Sequence, residues 1–122
     1  MIGTPSQYSS SKLVGSHSPT SLKSGEYFMN IKEGSEIVGS LLVKKYQESY
    51  IIQDVFVKPE FRGKGYGKQL LEEIIAFLKP KNRSIFLYVD SDNTIAIKLY
   101  TSVGFRLVKQ KAWKGDKYML LV

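Results

Sequence analysis

The chain has 122 residues, which is enough for one domain with a single core, and its hydrophobic fraction of 43% is that of an ordinary globular protein. The absence of cysteine excludes disulfides, thiolate nucleophiles and cysteine-rich zinc sites. A single histidine, His17, leaves no basis for a histidine metal site or a Ser-His-Asp triad, so we expect no metal.

The charge and the apolar pattern limit the partners. The net charge of +7 is concentrated in residues 58–83 and 106–122, which carry +4 each, and the first cluster suits a multiply anionic ligand. A nucleic acid is disfavoured because no helix-turn-helix or aromatic-basic signature accompanies the charge. No apolar run approaches the roughly 20 residues that span a bilayer, so we expect a cytoplasmic protein with no membrane partner.

The first half of the chain reads as a serine-rich lead followed by strands and a helix. Residues 1–25 contain eight serines and few apolar residues, so we expect a mobile segment ahead of a single domain over residues 26–122. Turn residues then separate three predicted strands: Glu26–Lys32, Glu36–Lys44 and Tyr50–Val57. Their predicted inward-facing positions are Ile37, Leu41, Leu42, Val43, Ile51, Ile52, Val55 and Val57.

The second half predicts two helices and three more strands. An apolar stripe of period 3.6 predicts a helix from about Gly65 to Lys79, ended by Pro80. A strand over Ile85–Val89 follows, and Asp92 or Asn93 can cap a second helix that ends at Gly104. Phe105–Gln110 and Asp116–Leu121 read as a hairpin around Lys114 and Gly115. The order predicts a layered α/β (α+β) domain, with helices packed on one mixed sheet.

A glycine loop joins the third strand to the first helix. A predicted strand ends at Val57, and in the loop after it glycines occupy three of the five positions 63–67: Gly63, Gly65 and Gly67. Backbone N–H groups at a helix start lack partners, and glycine lets a ligand approach them closely. Arg62, Lys64 and Lys68 add positive charge to the same turn. The segment therefore predicts a diphosphate site.

The spacing of the glycines and their neighbours excludes two known kinds of phosphate-binding glycine loop. Gln69 follows Gly67-Lys68 where a P-loop requires Ser or Thr, and Lys68 stands where the dinucleotide fingerprint requires glycine. The remaining pattern, Arg62-x-x-Gly65-x-Gly67, resembles the signature with which the GNAT N-acetyltransferase superfamily holds the pyrophosphate of coenzyme A. Residues 87–105 resemble the second signature of that family: a strand, Asn93, a helix with Leu99-Tyr100 near its end, and then Gly-Phe.

The resemblance covers roughly residues 26–121. It implies a mixed, mostly antiparallel sheet that is splayed at its centre, with the pantetheine arm of the cofactor lying in the opening. Members of the family usually carry a strand and two helices before the first long strand, so the resemblance leads us to expect an N-terminal helical lobe that is reduced or absent, or that a partner subunit completes. A homodimer is therefore one arrangement that the sequence leaves open.

The resemblance also implies an activity, the direct transfer of an acetyl group from acetyl-CoA to a primary amine on a small molecule or a protein. Without cysteine there is no acyl-cysteine intermediate. The alternative is a catalytically silent acyl-CoA sensor or partner subunit, which the shortened front of the domain motivates. A basic nucleic-acid module is a weaker third interpretation.

Most of the predicted site residues bind the cofactor. The backbone at the end of the third strand is predicted to hold the pantetheine and the thioester oxygen, and the glycine loop to hold the diphosphate. Asn93 is predicted to contact the cofactor arm, to cap the second helix, or both. The cofactor-binding residues are thus Val55, Phe56, Val57, Arg62, Gly63, Lys64, Gly65, Tyr66, Gly67, Lys68, Asn93 and Tyr100.

Two residues are predicted to be catalytic. Tyr100 is the predicted general acid, because a phenol of pKa ~10 is suited to protonate a thiolate of pKa ~8.5 as it leaves; the rival is a tyrosine that only packs in the core. Some family members place a glutamate base where this sequence has Tyr88. Asp54, on the strand that enters the glycine loop, is therefore the predicted general base, and the alternative is that it is an ordinary surface carboxylate. Asp90, Asp92 or water relayed to the backbone are the other candidates.

Overall fold

A computed structural model describes residues 19–23, 25–112 and 117–122, with the backbone alone described at 111 and 112. Within these residues the chain forms seven strands and two α-helices, and short 3-10 turns at Pro59–Phe61 and Lys79–Lys81 flank the first helix. The elements are β1 Thr20–Lys23, β2 Glu26–Glu33, β3 Glu36–Tyr46, β4 Ser49–Val57, α1 Tyr66–Leu78, β5 Ser84–Asp90, α2 Thr94–Ser102, β6 Arg106–Ala112 and β7 Lys117–Leu121. The predicted fold class is confirmed.

The first strand is a difference from the sequence prediction, which placed no regular structure in residues 1–25. Thr20–Lys23 pairs antiparallel with β2, and all four of its residues are exposed. A strand held by its backbone ladder, with no side chain in the core, has no apolar alternation to reveal it. Residues 1–18 lie outside the described part of the chain, as does the predicted turn at Lys114 and Gly115.

The sheet runs in the order β1-β2-β3-β4-β5-β7-β6, and every neighbouring pair except β4 and β5 is antiparallel. The parallel pair is short, because only Ser49–Ile51 pairs with Ser84–Phe86. Beyond that point β4 continues to Val57 and β5 to Asp90 without pairing with each other. The predicted splay at the centre of the sheet is confirmed, and it leaves the end of β4 open on one side.

The core lies between the sheet and α1. The helix buries the apolar stripe that its sequence predicted, with Leu70, Leu71, Ile74 and Leu78 fully buried and Ile75 nearly so. Neither α-helix of the described residues is long and apolar enough to cross a membrane.

The predicted inward-facing positions are only partly correct. Leu41, Val43, Ile51 and Ile52 are buried, whereas Leu42, Val55 and Val57 are half-buried. Ile37 is 44% exposed, so that prediction is wrong. The reason is the alternation of side chains along a strand, since the adjacent Val38 is fully buried and Ile37 therefore faces the other side of β3.

Candidate functional site

A cavity of about 590 Å³ opens where β4 leaves β5. Its walls are the end of β4, the loop after it, the first turn of α1 and one face of α2. This volume lies within the range of small-molecule and cofactor sites. The lining residues are Val55, Phe56, Val57, Phe61, Arg62, Gly63, Gly65, Tyr66, Gly67, Lys68, Asn93, Ile95, Ala96, Leu99 and Tyr100.

The β4 wall contains a β-bulge. The register with β3 passes from Leu42↔Gln53 to Ser40↔Phe56, so Asp54 and Val55 together lie opposite one residue of β3. Asp54 adopts φ +55°, a left-handed conformation that aspartate tolerates better than most residues. The bulge turns the strand where its other edge has no β5 partner, and backbone groups there are available to a ligand.

Gly39 on β3 allows the two strands to approach closely beside the cavity. A Cβ at this position would lie 2.9 Å from the carbonyl oxygen of Phe56. Any side chain here would push the β4 wall outward. The need for glycine at position 39 comes from the close approach of β3 and β4, and the sequence pattern does not reveal it.

The glycine loop and the start of α1 form the next wall. Gly63 and Gly65 have φ +83° and +88°, and nothing lies within 4 Å of a Cβ added at either position. Gly65 is the N-cap residue and supplies no side-chain hydrogen bond, while its carbonyl accepts from Gln69 N–H at 3.0 Å. The N–H groups of residues 66–68 therefore have no intrahelical acceptor, the arrangement that binds anions at helix starts.

Arg62 has a structural contact as well as its charge. Its Nε donates to the carbonyl oxygen of Val57 at 2.9 Å, and its guanidinium carbon lies 5.9 Å from the centre of the Phe56 ring. These contacts hold the loop against the β4 wall. Lys64 is the one predicted cofactor-binding residue outside the cavity lining, with Nζ 5.2 Å from the centre of the Phe61 ring.

Gly67 brings α1 close to α2. A Cβ at this position would lie 3.2 Å from a methyl carbon of Leu99 and 3.7 Å from one of Val57. The glycine is therefore required for packing between the helices, and it also leaves the first turn of α1 uncovered on the cavity side.

Tyr100 lies on α2 and lines the same cavity. Its ring packs edge-on against Phe105, with the centroids 6.0 Å apart. Burial raises the pKa of Tyr100 above its ordinary value of 10.0, because a buried phenolate is poorly solvated. The phenol is therefore protonated at neutral pH and able to donate.

Two other predicted residues of the lining have internal partners. The side-chain oxygen of Asn93 accepts a hydrogen bond from the Ala96 N–H at 3.1 Å, so Asn93 caps α2. The Tyr66 hydroxyl donates to the Glu33 carboxylate, and burial together with this contact raises the pKa of Tyr66 to about 12. The side-chain oxygen of Asn93 and the hydroxyl of Tyr66 are thus both engaged within the protein.

Asp54 is exposed and does not line the cavity, although its neighbour Val55 does. No carboxylate is among the lining residues, and no group of three possible metal ligands occurs in the described part of the chain. The structure thus brings together eleven of the twelve predicted cofactor-binding residues, and it leaves Lys64 and Asp54 at the margin.

Four apolar residues line the cavity without having been predicted as site residues: Phe61, Ile95, Ala96 and Leu99. Three of them lie on α2, a helix with an apolar stripe but no fully buried residue, and Ile95 is 83% exposed. An apolar stripe that ends just before a predicted catalytic residue was the available signal. It indicates a wall that an organic ligand would cover.

Comparisons with known proteins agree with this geometry. A family model described as acetyltransferase (GNAT) family matches residues 6–105, so the match begins well before residue 26. The chain is 31% identical over 86 residues to the N-alpha-acetyltransferase RimI of Mycobacterium tuberculosis, covering 67% of this chain and 53% of that protein. It is 33% identical over 87 residues to the ribosomal protein bS18-alanine N-acetyltransferase of Haemophilus ducreyi, covering 69% of this chain and 60% of that protein.

A solved structure shares the fold. The GNAT family acetyltransferase from Elizabethkingia anophelis with acetyl-CoA bound superposes with a TM-score of 0.77 at 18% identity, over 89% of this chain and 97% of that chain. The two curated relatives are longer, since this chain spans 53% and 60% of their lengths. Because the family model covers residues 6–105, which include both signatures and the cavity lining, the chain belongs to the GNAT acetyltransferase family.

Proposed function

We propose that this chain binds acetyl-CoA in the cavity and transfers its acetyl group to a primary amine. One observation carries the proposal: the uncapped start of α1 and the protonated hydroxyl of Tyr100 belong to the same cavity. An anion site and a proton donor within one cleft are the two groups that a thioester with a diphosphate tail requires. The bound acetyl-CoA in the Elizabethkingia structure supports the choice of ligand.

The diphosphate binds at the loop. The free N–H groups of residues 66–68 and the partial positive charge of the helix start attract it, and Gly63 and Gly65 let it approach without a side chain between. Arg62 and Lys68 add charge from the cavity lining. Most of the affinity comes from the backbone, because the lysine side chain is solvated.

The pantetheine arm and the thioester lie along the open edge of β4. Beyond Ile51 this edge has no partner strand, and the bulge at Asp54–Val55 reorients the backbone next to it. Backbone N–H groups at Val55–Val57 donate to the thioester oxygen, which polarises the carbonyl and stabilises the negative charge that develops on it. The apolar side of α2 covers the arm from the opposite wall.

The transfer itself is direct. The unprotonated amine attacks the thioester carbonyl carbon, a C–N bond forms, and the C–S bond breaks when the tetrahedral intermediate collapses. The Tyr100 hydroxyl donates its proton to the departing thiolate, so the products are an amide and free CoA. The amine nitrogen loses its extra proton to Asp54 at the rim of the cavity. Solvent then takes that proton from Asp54 and returns a proton to Tyr100.

The proposed acceptor is a primary amine. A relative named for alanine acetylation of a ribosomal protein makes peptides with an N-terminal alanine the first acceptors to test. Small polyamines, aminoglycosides and lysine peptides complete a broad panel, because the cavity itself selects for the donor.

Binding and turnover are measured separately. Isothermal titration of the full chain with CoA tests the site, and release of free thiol from acetyl-CoA over the amine panel tests the reaction. Micromolar binding with acceptor-dependent thiol release is the expected result. A chain that binds no CoA has neither the proposed activity nor a sensor role.

A catalytically silent acyl-CoA sensor is the second candidate. The observation that favours it is the cavity lining, which contains no carboxylate to act as a base. Tight binding of CoA with no thiol release across the whole panel would select the sensor over the enzyme.

A further inference from the structure

The turn between β2 and β3 touches both ends of the glycine-loop segment, residues 58–66. At the start of the segment, Lys58 Nζ lies 3.1 Å from a carboxylate oxygen of Glu36, and Lys58 N–H donates to the carbonyl of Val38 at 2.8 Å. At its end, the hydroxyl of Tyr66 donates to the carboxylate of Glu33. Two glutamates of one turn therefore contact the segment from outside the cavity.

The two contacts differ in strength. The Lys58 and Glu36 side chains are 40% and 51% exposed, and ion pairs so open to water contribute little. Glu33 is exposed but Tyr66 is only 7% exposed, and a hydrogen bond to a carboxylate is one of the stronger kinds. Glu33 is thus the more important of the two glutamates.

Tyr66 is placed where a restraint would matter. It is the first residue of α1, it lines the cavity, and its ring lies 6.4 Å from that of Phe61. The two glycines before it adopt positive φ with open space around them, and Gly65 gives the helix no side-chain cap. The loop thus has few side-chain contacts of its own, and the bond to Glu33 supplies one from a neighbouring element.

We propose that Glu33 is a positioning residue for the diphosphate: through Tyr66 it fixes the start of α1 in the conformation that points the free N–H groups into the cavity. This inference rests on the proposed function. It assigns a role to a residue outside the cavity lining and outside both family signatures. Preorganisation of this kind increases affinity because less conformational freedom is lost on binding.

The bond and the charge of Glu33 have opposite effects on an anionic ligand. A carboxylate beside a diphosphate site repels the ligand, whereas a carboxylate that orders the site favours binding. Whether a substitution of Glu33 weakens or strengthens the binding of acetyl-CoA therefore decides which effect is larger. Glu33→Gln removes the charge but keeps an oxygen that accepts from Tyr66, and Glu33→Ala removes both.

The first experiment compares KM for two donors. Glu33→Ala is expected to raise KM for acetyl-CoA by about tenfold with kcat nearly unchanged, the size typical of a lost hydrogen bond to a charged group. Acetyl-pantetheine, which lacks the diphosphate, should show no such rise. Glu33→Gln should match the wild type or bind acetyl-CoA more tightly, and Tyr66→Phe combined with Glu33→Ala should be no worse than either change alone.

A matched control is available on the next hairpin turn. Glu48 pairs with Arg83 at 3.0 Å and lies outside the cavity lining, so Glu48→Ala changes the net charge by the same amount without touching the loop. Its KM for acetyl-CoA should equal that of the wild type. Tighter binding of acetyl-CoA by Glu33→Ala, or an equal change for acetyl-pantetheine, overturns the positioning role.

A second measurement needs no ligand. The Gln69 amide is bonded to the carbonyl of Gly65, so its hydrogen exchange reports whether the start of α1 stays closed. Glu33→Ala should speed this exchange by about tenfold relative to wild type, Glu33→Gln should speed it less because its bond is neutral, and Glu48→Ala should leave it unchanged. Unchanged exchange in Glu33→Ala refutes the positioning role even if CoA binds. Failure of the wild type to bind CoA refutes the proposed function. The exchange result still decides, in that case, whether Glu33 fixes the start of α1.

Discussion

The two helices begin at the same cavity in opposite ways. The start of α2 is closed by its own residue, because the Asn93 side chain accepts the Ala96 N–H at 3.1 Å. The start of α1 has a glycine in the equivalent position, Gly65, and no side-chain hydrogen bond. One helix therefore has a first-turn donor satisfied by its own cap residue, while the other leaves its first donors without a side-chain acceptor. A difference of one side chain separates a capped helix start from the proposed anion site.

The helices also differ in how they are anchored. Six residues of α1 are buried, including its first residue Tyr66, whereas α2 has no fully buried residue. The helix whose start is the proposed diphosphate site is thus fixed in the core, and the helix that carries Tyr100 forms a cavity wall. Damage to the start of α1 should therefore appear in KM for the donor, and damage to the reactive residue of α2 in kcat.

The largest expected effect is at Tyr100. Tyr100→Phe removes the proton donor without altering the ring packing on Phe105, and kcat should fall by about a thousandfold, within the range for general acid catalysis. Calorimetry should show an almost unchanged Kd for acetyl-CoA. An unchanged kcat with a good acceptor would show that Tyr100 only packs.

The pH dependence of the wild type sharpens this test. Because burial raises the pKa of Tyr100 above 10.0, the phenol keeps its proton through the neutral and mildly alkaline range. The rate should fall on the alkaline side only above the ordinary tyrosine range, as the phenolate forms. A fall centred near neutral pH would assign the acid role to another group.

The next effect concerns the β4 wall, which lies between the two helices. Asp54→Asn keeps a residue that tolerates the φ of +55° at the bulge but removes the carboxylate, and kcat should fall by about a hundredfold. Asp54→Gly should show the same loss, because glycine adopts this conformation freely. If both variants keep the wild-type rate, the amine proton goes to solvent.

Local pattern was enough to predict the parts of this site that one segment builds. The period of 3.6 gave α1, and the spacing of Arg62, Gly65 and Gly67 gave the loop, because both depend on neighbours within a few residues. Asn93 was predicted as a cap for the same reason. These features follow from backbone conformation, which sequence encodes locally.

Contacts between distant segments were not predictable in this way. The hydrogen bond from Tyr66 to Glu33 joins residues 33 apart, and the close approach of Gly39 to Phe56 depends on the register of β3 with β4. The strand Thr20–Lys23 was missed because its stability comes from pairing with β2 and its side chains are exposed. Register and pairing have to be known before such features can be named.

A smaller effect is expected where α1 begins. Gly65→Ala places a Cβ at φ +88°, which costs about 1–2 kcal/mol and shifts the turn to another conformation, so KM for acetyl-CoA should rise about tenfold. Gly104→Ala is the control, since Gly104 has φ +109° at the other end of α2. It should lower the free energy of unfolding by a similar amount and leave KM unchanged. Equal changes in KM would mean that the loop variant acts through stability alone.

The smallest effect is at the start of α2, where capping and cofactor contact can be separated. Asn93→Ala removes the acceptor for the Ala96 N–H and should lower the free energy of unfolding by about 1 kcal/mol, which denaturant titration measures. Asn93→Asp keeps that acceptor but loses the amide donor, so stability should be retained. If the amide also binds the cofactor arm, Asn93→Asp weakens CoA binding by a few fold while unfolding is unchanged. If CoA binding by Asn93→Asp equals that of the wild type, Asn93 acts as a cap alone, and the start of α1 is then the one helix start proposed to contact CoA.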